Sequence, residues 1–277
     1  RMLFNRSYGT PVLWRNKDTN FVIAVGSGLV TAYDLATGTP TFFVQGTSCV
    51  ANPTPVVGDG GVLYVASANP GPKREFQPTF AQLLKQRDSN QDKRLTEDDF
   101  PASLFRELLP VYDADRSGDL STTEYDSIQR LMGTCNNGMI ALAMGGDGLD
   151  RSEASLLWHI KKSVPRTASP LYHQGHLYMI NDGGVFAAVD AATGQIVKSG
   201  RTPARGKFFG SPVLGDGKIY FASDRGELVV VSAEPDWKVL SSANFEEPIY
   251  PTPAISSGHI YLRTESKLYC FGNTKDK

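Results

Sequence analysis

Residues 215–235 read GDGKIYFASDRGELVVVSAEP: a Gly-containing turn, an apolar run, a second turn and a second apolar run. Residues 173–194, HQGHLYMINDGGVFAAVDAATG, and residues 20–38, NFVIAVGSGLVTAYDLATG, repeat the scheme. β-branched and aromatic residues bounded by Gly and Asp favour extended chain, and two such runs across a short turn form an antiparallel hairpin. DLATG (34–38) and DAATG (190–194) end the third strand of their units with Asp and with a Gly free to take the positive φ of a tight return.

Before each hairpin stands a step of small residue, proline and apolar residue. The steps are GTPVL at Pro11, PTPVV at Pro55, ASPLY at Pro170, GSPVL at Pro212 and PTPAI at Pro253. Their spacings are 44, 115, 42 and 41 residues, so three agree and the fourth is one period plus about 72 residues. A period near 42 with four strands per unit predicts an all-β fold, a β-propeller of four-stranded antiparallel blades. The chain holds four full units and a fifth, residues 252–272, that lacks an outer strand. RMLFNR (1–6) has the apolar character of such a strand; it either completes the fifth blade or ends a blade that precedes Arg1.

The repeats resemble the pyrroloquinoline-quinone-type propeller repeat, and are similar to those of the outer-membrane assembly lipoprotein family. The matching pattern is small-Pro-x-apolar, Gly-x-apolar-Tyr, Asp-Gly-x-apolar-x-Ala-apolar-Asp and x-Thr-Gly. Tyr33, Asp34, Thr37, Gly38, Val189, Asp190, Thr193 and Gly194 carry it best. The Trp usual on the outermost strand survives as Trp158, while Phe43 and Val197 stand near its place elsewhere. Members of this family have seven or eight blades, so the resemblance implies that the five seen here are part of a larger propeller.

The extra residues divide the chain into propeller blades (1–68), an inserted helical EF-hand pair (69–136) and further blades (137–277). ANPGPKREFQP (68–78) leaves the blade, and TFAQLLKQR (79–87) sets Phe80, Leu83 and Leu84 on one helical face. Two acidic loops follow. Residues 113–124, DADRSGDLSTTE, place oxygen-bearing residues at alternate positions, Gly118 sixth and Glu124 twelfth. Calcium takes about seven oxygens, which a tight loop presents from alternate positions plus a bidentate acid at its end. The ligand set is Asp113, Asp115, Ser117, Asp119 (main chain) and Glu124. Residues 88–99 form a weaker copy with Asp88, Asn90, Asp92, Arg94 (main chain) and Asp99. There Lys93 replaces the glycine and Asp99 the longer Glu, which weakens calcium or shifts preference toward magnesium.

Leu95 and Leu120, eighth in each loop, are expected to pair the loops as a short strand contact. Between Asp88 and Asp126 eleven acids face four bases, a local charge of −7 in a chain of net charge −1. Such a cluster repels itself without cations. Residues 100–112 leave room for one shared helix, with Pro101 and Pro110 near its ends, which predicts a structural module and not a sensor with a target groove.

Hydrophobic residues make up 40% and charged residues 21%, enough for a real core. The near-neutral charge argues against nucleic acid or an anionic membrane as the main partner. No apolar run approaches the roughly 18–20 residues of a membrane span. The chain begins at Arg1, so a signal peptide or lipid anchor is expected, if anywhere, upstream of it. Three cysteines, Cys49, Cys135 and Cys270, lack metal spacing, and an odd count leaves at least one unpaired. Cys270 lies in the apolar run LYCFG and is expected to be a buried small hydrophobe.

No enzyme site is legible. Quinoprotein dehydrogenases resembling these repeats use a catalytic Asp, Glu and Asn ligands, a vicinal Cys pair and a Trp floor. No Cys-Cys occurs and no such set can be assigned, so the quinone is not expected. His159, His173, His176 and His259 are scattered; His173 and His176 read as turn residues, with a weak transition-metal pair as the other reading. The expectation is a non-catalytic extracytoplasmic scaffold, periplasmic or outer-membrane associated, that binds a protein partner on a propeller face and calcium in its insert. A fragment of a quinoprotein oxidoreductase and a carbohydrate- or surface-binding module are the alternatives.

Overall fold

The computed structural model describes residues 8–15, 19–26, 28–68, 78–99, 113 and 115–272. Five antiparallel sheets follow one another as blades of a β-propeller. The first holds β1 (Val12–Arg15), β2 (Asn20–Val25), β3 (Leu29–Asp34) and β4 (Pro40–Gln45). The second holds β5 (Val56–Val57), β6 (Leu63–Ser67), β7 (Gly138–Leu142) and β8 (Leu156–Ile160). The third comprises β9 (Leu171–His173), β10 (His176–Ile180), β11 (Val185–Asp190) and β12 (Ile196–Arg201). The fourth comprises β13 (Val213–Gly215), β14 (Lys218–Ala222), β15 (Glu227–Ser232) and β16 (Val239–Asn244). The fifth has three strands among the described residues, β17 (Ala254–Ser256), β18 (His259–Arg263) and β19 (Leu268–Gly272). The N-terminal RMLFNR segment lies outside the described residues, as does the expected helix over 100–112.

The middle strands explain why the apolar runs are nearly unbroken. Side chains alternate faces along a strand, and the middle strands of the second, third and fourth blades are covered by a blade on both sides. Leu63 and Val65 of β6 pack into the core shared with the first blade, while Tyr64 and Ala66 pack into the core shared with the third. Leu177 and Met179 of β10 face the second blade, and Tyr178 and Ile180 face the fourth. Phe186 and Phe221 stack across the third interface at 4.9 Å. Both are fully buried, which contributes about 1.5–3 kcal/mol per ring. Ala222, Ile249 and Leu262 join the fourth and fifth blades.

Two repeated polar links and one single link tie the blades. The residue before each repeat proline is Ser or Thr, and in the first four units its N–H donates to the hydroxyl of the corresponding residue one blade on. Thr10 N donates to Thr54 Oγ1 (3.0 Å), Thr54 N to Ser169 Oγ (3.0 Å), Ser169 N to Ser211 Oγ (2.9 Å) and Ser211 N to Thr252 Oγ1 (2.9 Å). Proline biases the residue before it toward extended backbone, which holds these groups in one pose. The repeat Tyr is the second link: Tyr64 donates its hydroxyl to Ala191 O and Tyr178 to Ala233 O, each in the turn of the following blade. Burial pushes both phenols up to about 12. In the third link Trp158 of β8 lies against Gly194, where a Cβ would sit 2.8 Å from the indole, and donates its Nε1–H to Ala191 O.

Within the turns, Asp34 accepts from the Thr37 N–H and hydroxyl, and Asp190 from those of Thr193. Both carboxyls are lowered, Asp34 first by the Thr37 N–H and Asp190 first by the Thr193 hydroxyl. Gly38 and Gly194 complete the returns at φ 69° and 73°.

Cys270 departs from the sequence expectation: it is exposed. The run LYCFG is β19, which pairs with β18 on one side and has no further strand beyond it among the described residues. An apolar run is buried on both faces only when strands and blades lie on both sides of it.

Candidate metal centre

Between the paired strands β6 and β7 the chain leaves the second blade. Helix α1 (Phe80–Arg87) starts from a capping box in which Gln82 N–H donates to Thr79 Oγ1 and Thr79 N–H to Gln82 Oε1. Helix α2 (Thr122–Thr134) returns to β7. Tyr125 of α2 packs against Phe80 of α1, with centroids 5.8 Å apart and rings tilted by 50°, and donates its hydroxyl to Pro78 O.

The two acidic loops share the bonds of their first position and the bond from the ninth residue to the twelfth, and differ in the second donor to the twelfth, Ser89 at position two against Asp115 at position three. At the first position, Asp88 accepts from Asp92 N and Lys93 N, and Asp113 accepts from Ser117 N and Gly118 N. At the twelfth, Asp99 accepts from Ser89 N and Thr96 N, and Glu124 from Asp115 N and Ser121 N. The sixth residues turn through positive φ, Gly118 at 87° and Lys93 at 64°. Lys93 takes a conformation that costs an L-residue roughly 1–2 kcal/mol. The loops meet back to back: Leu120 N donates to Leu95 O at 2.8 Å, and Thr96 and Asp119 form an antiparallel bridge. Leu95 and Leu120 are buried beneath that contact.

Asp113, Asp115 and Glu124 converge, each offering a carboxylate oxygen within 4.8 Å of the others. Among the described residues this is the one such grouping of His, Cys, Asp or Glu. Asp113 is 9% exposed and Glu124 7%. Bringing carboxylates together out of water is costly unless a partner charge or hydrogen bonds compensate. The N–H groups supply part of that compensation. The Asp115 carboxyl is lowered, first by its hydrogen bond with the Ser117 side chain and then by the Ser117 N–H. Ser117 Oγ donates to Asp119 O, so a hydroxyl and a position-seven carbonyl stand together beside the carboxylates. Carboxylate, hydroxyl and carbonyl oxygens are hard donors, the chemistry suited to calcium or magnesium and not to a thiophilic metal.

The weaker loop keeps its hydrogen bonds but does not form such a grouping. Asn90 Nδ2 donates to Asp92 Oδ2, and Arg94 N to Asp92 Oδ1. The position-seven side chains do something the spacing did not reveal. Arg94 donates Nε–H and Nη2–H to the Asp119 carboxylate at 2.9 and 2.7 Å, joining one loop to the other. Arg94 holds the Asp119 carboxyl down to about 2, with the Ser117 hydrogen bond second.

The histidines do not gather. His173 and His176 are register partners across β9 and β10, but His176 Nδ1 lies 3.0 Å from Gln174 O. His259 Nδ1 lies 2.8 Å from Ser257 O and His159 Nε2 3.2 Å from Asn137 O.

Blades of meandering strands, stacked with repeated inter-blade links, define the β-propeller class. No protein-family model matches the chain, and no curated protein matches it in sequence. Solved structures do match in fold. The crystal structure of BamB from Moraxella catarrhalis is similar at a TM-score of 0.53 and 14% identity, over 94% of this chain and 56% of that one. The computationally designed Ika8 protein is similar at a TM-score of 0.55 and 8% identity, over 94% of this chain and 57% of that one. The chain thus spans little more than half the length of the structures it matches. At these identities the likeness is one of fold.

Proposed function

We propose that this chain is a non-catalytic, extracytoplasmic β-propeller scaffold whose second blade carries a calcium-binding EF-hand pair. The convergence of Asp113, Asp115 and Glu124, two of them buried, is the observation that carries the metal reading. In the proposal Asp113, Asp115, Ser117, the Asp119 carbonyl and Glu124 hold one ion. Asp88, Asn90, Asp92, the Arg94 carbonyl and Asp99 hold a second, more weakly. The back-to-back loop contact and the Arg94–Asp119 pair support a fixed structural module. Millimolar extracellular calcium would fill even weak loops.

The partner reading is supported by exposed aromatic residues at a repeated position. Tyr8, Phe209 and Tyr250 each stand two residues before a linking Ser or Thr, and they are 70%, 40% and 52% exposed. Phe209 and Tyr250 meet edge to face at 5.5 Å. Exposed aromatics are enriched in protein interfaces. The resemblance of the repeats to the outer-membrane assembly lipoprotein family favours the same reading: a protein partner on a propeller face, outside the cytoplasm and associated with the outer membrane. The exposed rings also favour a carbohydrate ligand as a second reading.

Calorimetric titration of chelator-treated protein tests the metal reading. Calcium heat is expected from the parent and strongly reduced heat from Asp113→Ala and Glu124→Ala. Absence of heat, or variants that behave like the parent, would overturn it.

A further inference from the structure

A second chemical site lies at the foot of the insert. Cys135 immediately follows helix α2, and Cys49 lies between the first and second blades. They are ~86 residues apart in the chain, yet their side chains are within hydrogen-bonding reach of each other. Their backbones are held together independently of the thiols. Asn136 N donates to Thr47 O at 2.9 Å. Ser48 N donates to Ser67 Oγ at 2.9 Å, and Ser67 is the register partner of Gly138. Thr47 Oγ1 donates to Gly26 O, which fixes the same segment to the first blade. Both cysteines are half-buried, and Cys270, on β19, is exposed.

We propose that Cys49 and Cys135 are a disulfide-forming pair that staples the exit of the inserted module to the junction of the first two blades. A disulfide forms only between cysteines whose backbones already lie side by side with side chains converging, and the Asn136–Thr47 bond, together with the Ser48 bond to the register partner of Gly138, provides that placement. The oxidant class is a small-molecule disulfide. The Cys49 thiol loses its proton to solvent, and its thiolate attacks one sulfur of the oxidant, forming a mixed disulfide and releasing one small thiol. The Cys135 thiol then loses its proton and attacks the Cys49 sulfur, expelling the second small thiol. Two protein thiols become one S–S bond, and one small disulfide becomes two thiols. The Cys135 thiol is pushed up, first by its hydrogen bond with Cys49 and then by burial, which disfavours its thiolate as the first nucleophile.

The bond would close a long loop containing β5, β6 and the whole acidic insert. Cross-linking a loop of that length constrains the unfolded chain strongly, so the oxidised protein should melt roughly 10 °C above the reduced one. Independence from the calcium reading is built in, because the pairing needs no cation.

The test is peptide mapping of the native protein after incubation with oxidised glutathione and alkylation of remaining thiols. The expected result is one alkylated cysteine, Cys270, a linked peptide pair joining Cys49 to Cys135, and the higher melting temperature. Cys270→Ser, a surface change, should keep the cross-link, while Cys49→Ser should lack it. Three alkylated cysteines in the parent, glutathione retained on Cys49, or cross-links through Cys270 would each overturn the proposal.

Discussion

Ser211→Ala removes one oxygen from the chain of hydroxyls that links the blades. Ser211 Oγ accepts the Ser169 N–H at 2.9 Å, while Ser211 N–H goes on to Thr252 Oγ1 at 2.9 Å. The substitution deletes the first bond and leaves the second, which uses the backbone. A hydrogen bond contributes about 0.5–1.5 kcal/mol net, and a buried donor left without a partner costs about 1–3 kcal/mol. Ser169 is half-buried, so water partly replaces the lost oxygen. The expected destabilisation is roughly 1–2 kcal/mol. For a protein of this size that is a fall in melting temperature of about 2–4 °C per kcal/mol. Ser211→Thr keeps the oxygen and should stay close to the parent. Amide hydrogen exchange read at Ser169 should accelerate in Ser211→Ala and not in Ser211→Thr. Equal exchange in both variants, or a Thr variant as destabilised as Ala, would refute the linking role.

The Arg94–Asp119 pair makes a prediction about acid. Asp119 is held at about 2, below the ordinary aspartate value, so its contribution is present above that ordinary value of about 3.9 and is lost as pH falls through about 2. Arg94→Ala should therefore melt below the parent in calcium-free buffer above about pH 4, with the gap closing toward pH 2. With Arg94 56% exposed, solvent screens the pair and the gap should be small. Lys93→Gly relieves the positive φ of 64° in the weaker loop and should raise calcium affinity there by about tenfold in calorimetry, from relief of about 1–2 kcal/mol.

The blades were legible because proline, Gly turns and Tyr recur at a fixed period, and each marks a local backbone requirement. The reading of the residue before proline as merely small missed its function. Thr54, Ser169, Ser211 and Thr252 act through hydroxyls that meet the neighbouring blade, a contact 41 to 115 residues away in sequence. In the acidic loops the local turn was legible, since Gly118 takes the positive φ that its place in the loop asks for. Arg94 was read for its carbonyl alone, because only the back-to-back docking of the loops brings its side chain to Asp119. Cys270 was misread for the opposite reason: composition suggests a core strand, but β19 is the outermost described strand of its sheet. Cys49 and Cys135 carry no spacing signal, and their meeting depends on where β6 and β7 pair across the insert.

In the proposed scheme calcium orders the acidic insert while the blades stand without it. Hydrogen exchange measured residue by residue, with calcium and with chelator, is the direct test. Calcium-dependent protection is expected at Ser117, Gly118 and Ser121, smaller protection at Asp92 and Lys93, and unchanged exchange in β10, β11, β14 and β15. Identical exchange at Ser117, Gly118 and Ser121 in both conditions, or loss of protection in those blade strands when calcium is removed, would contradict it.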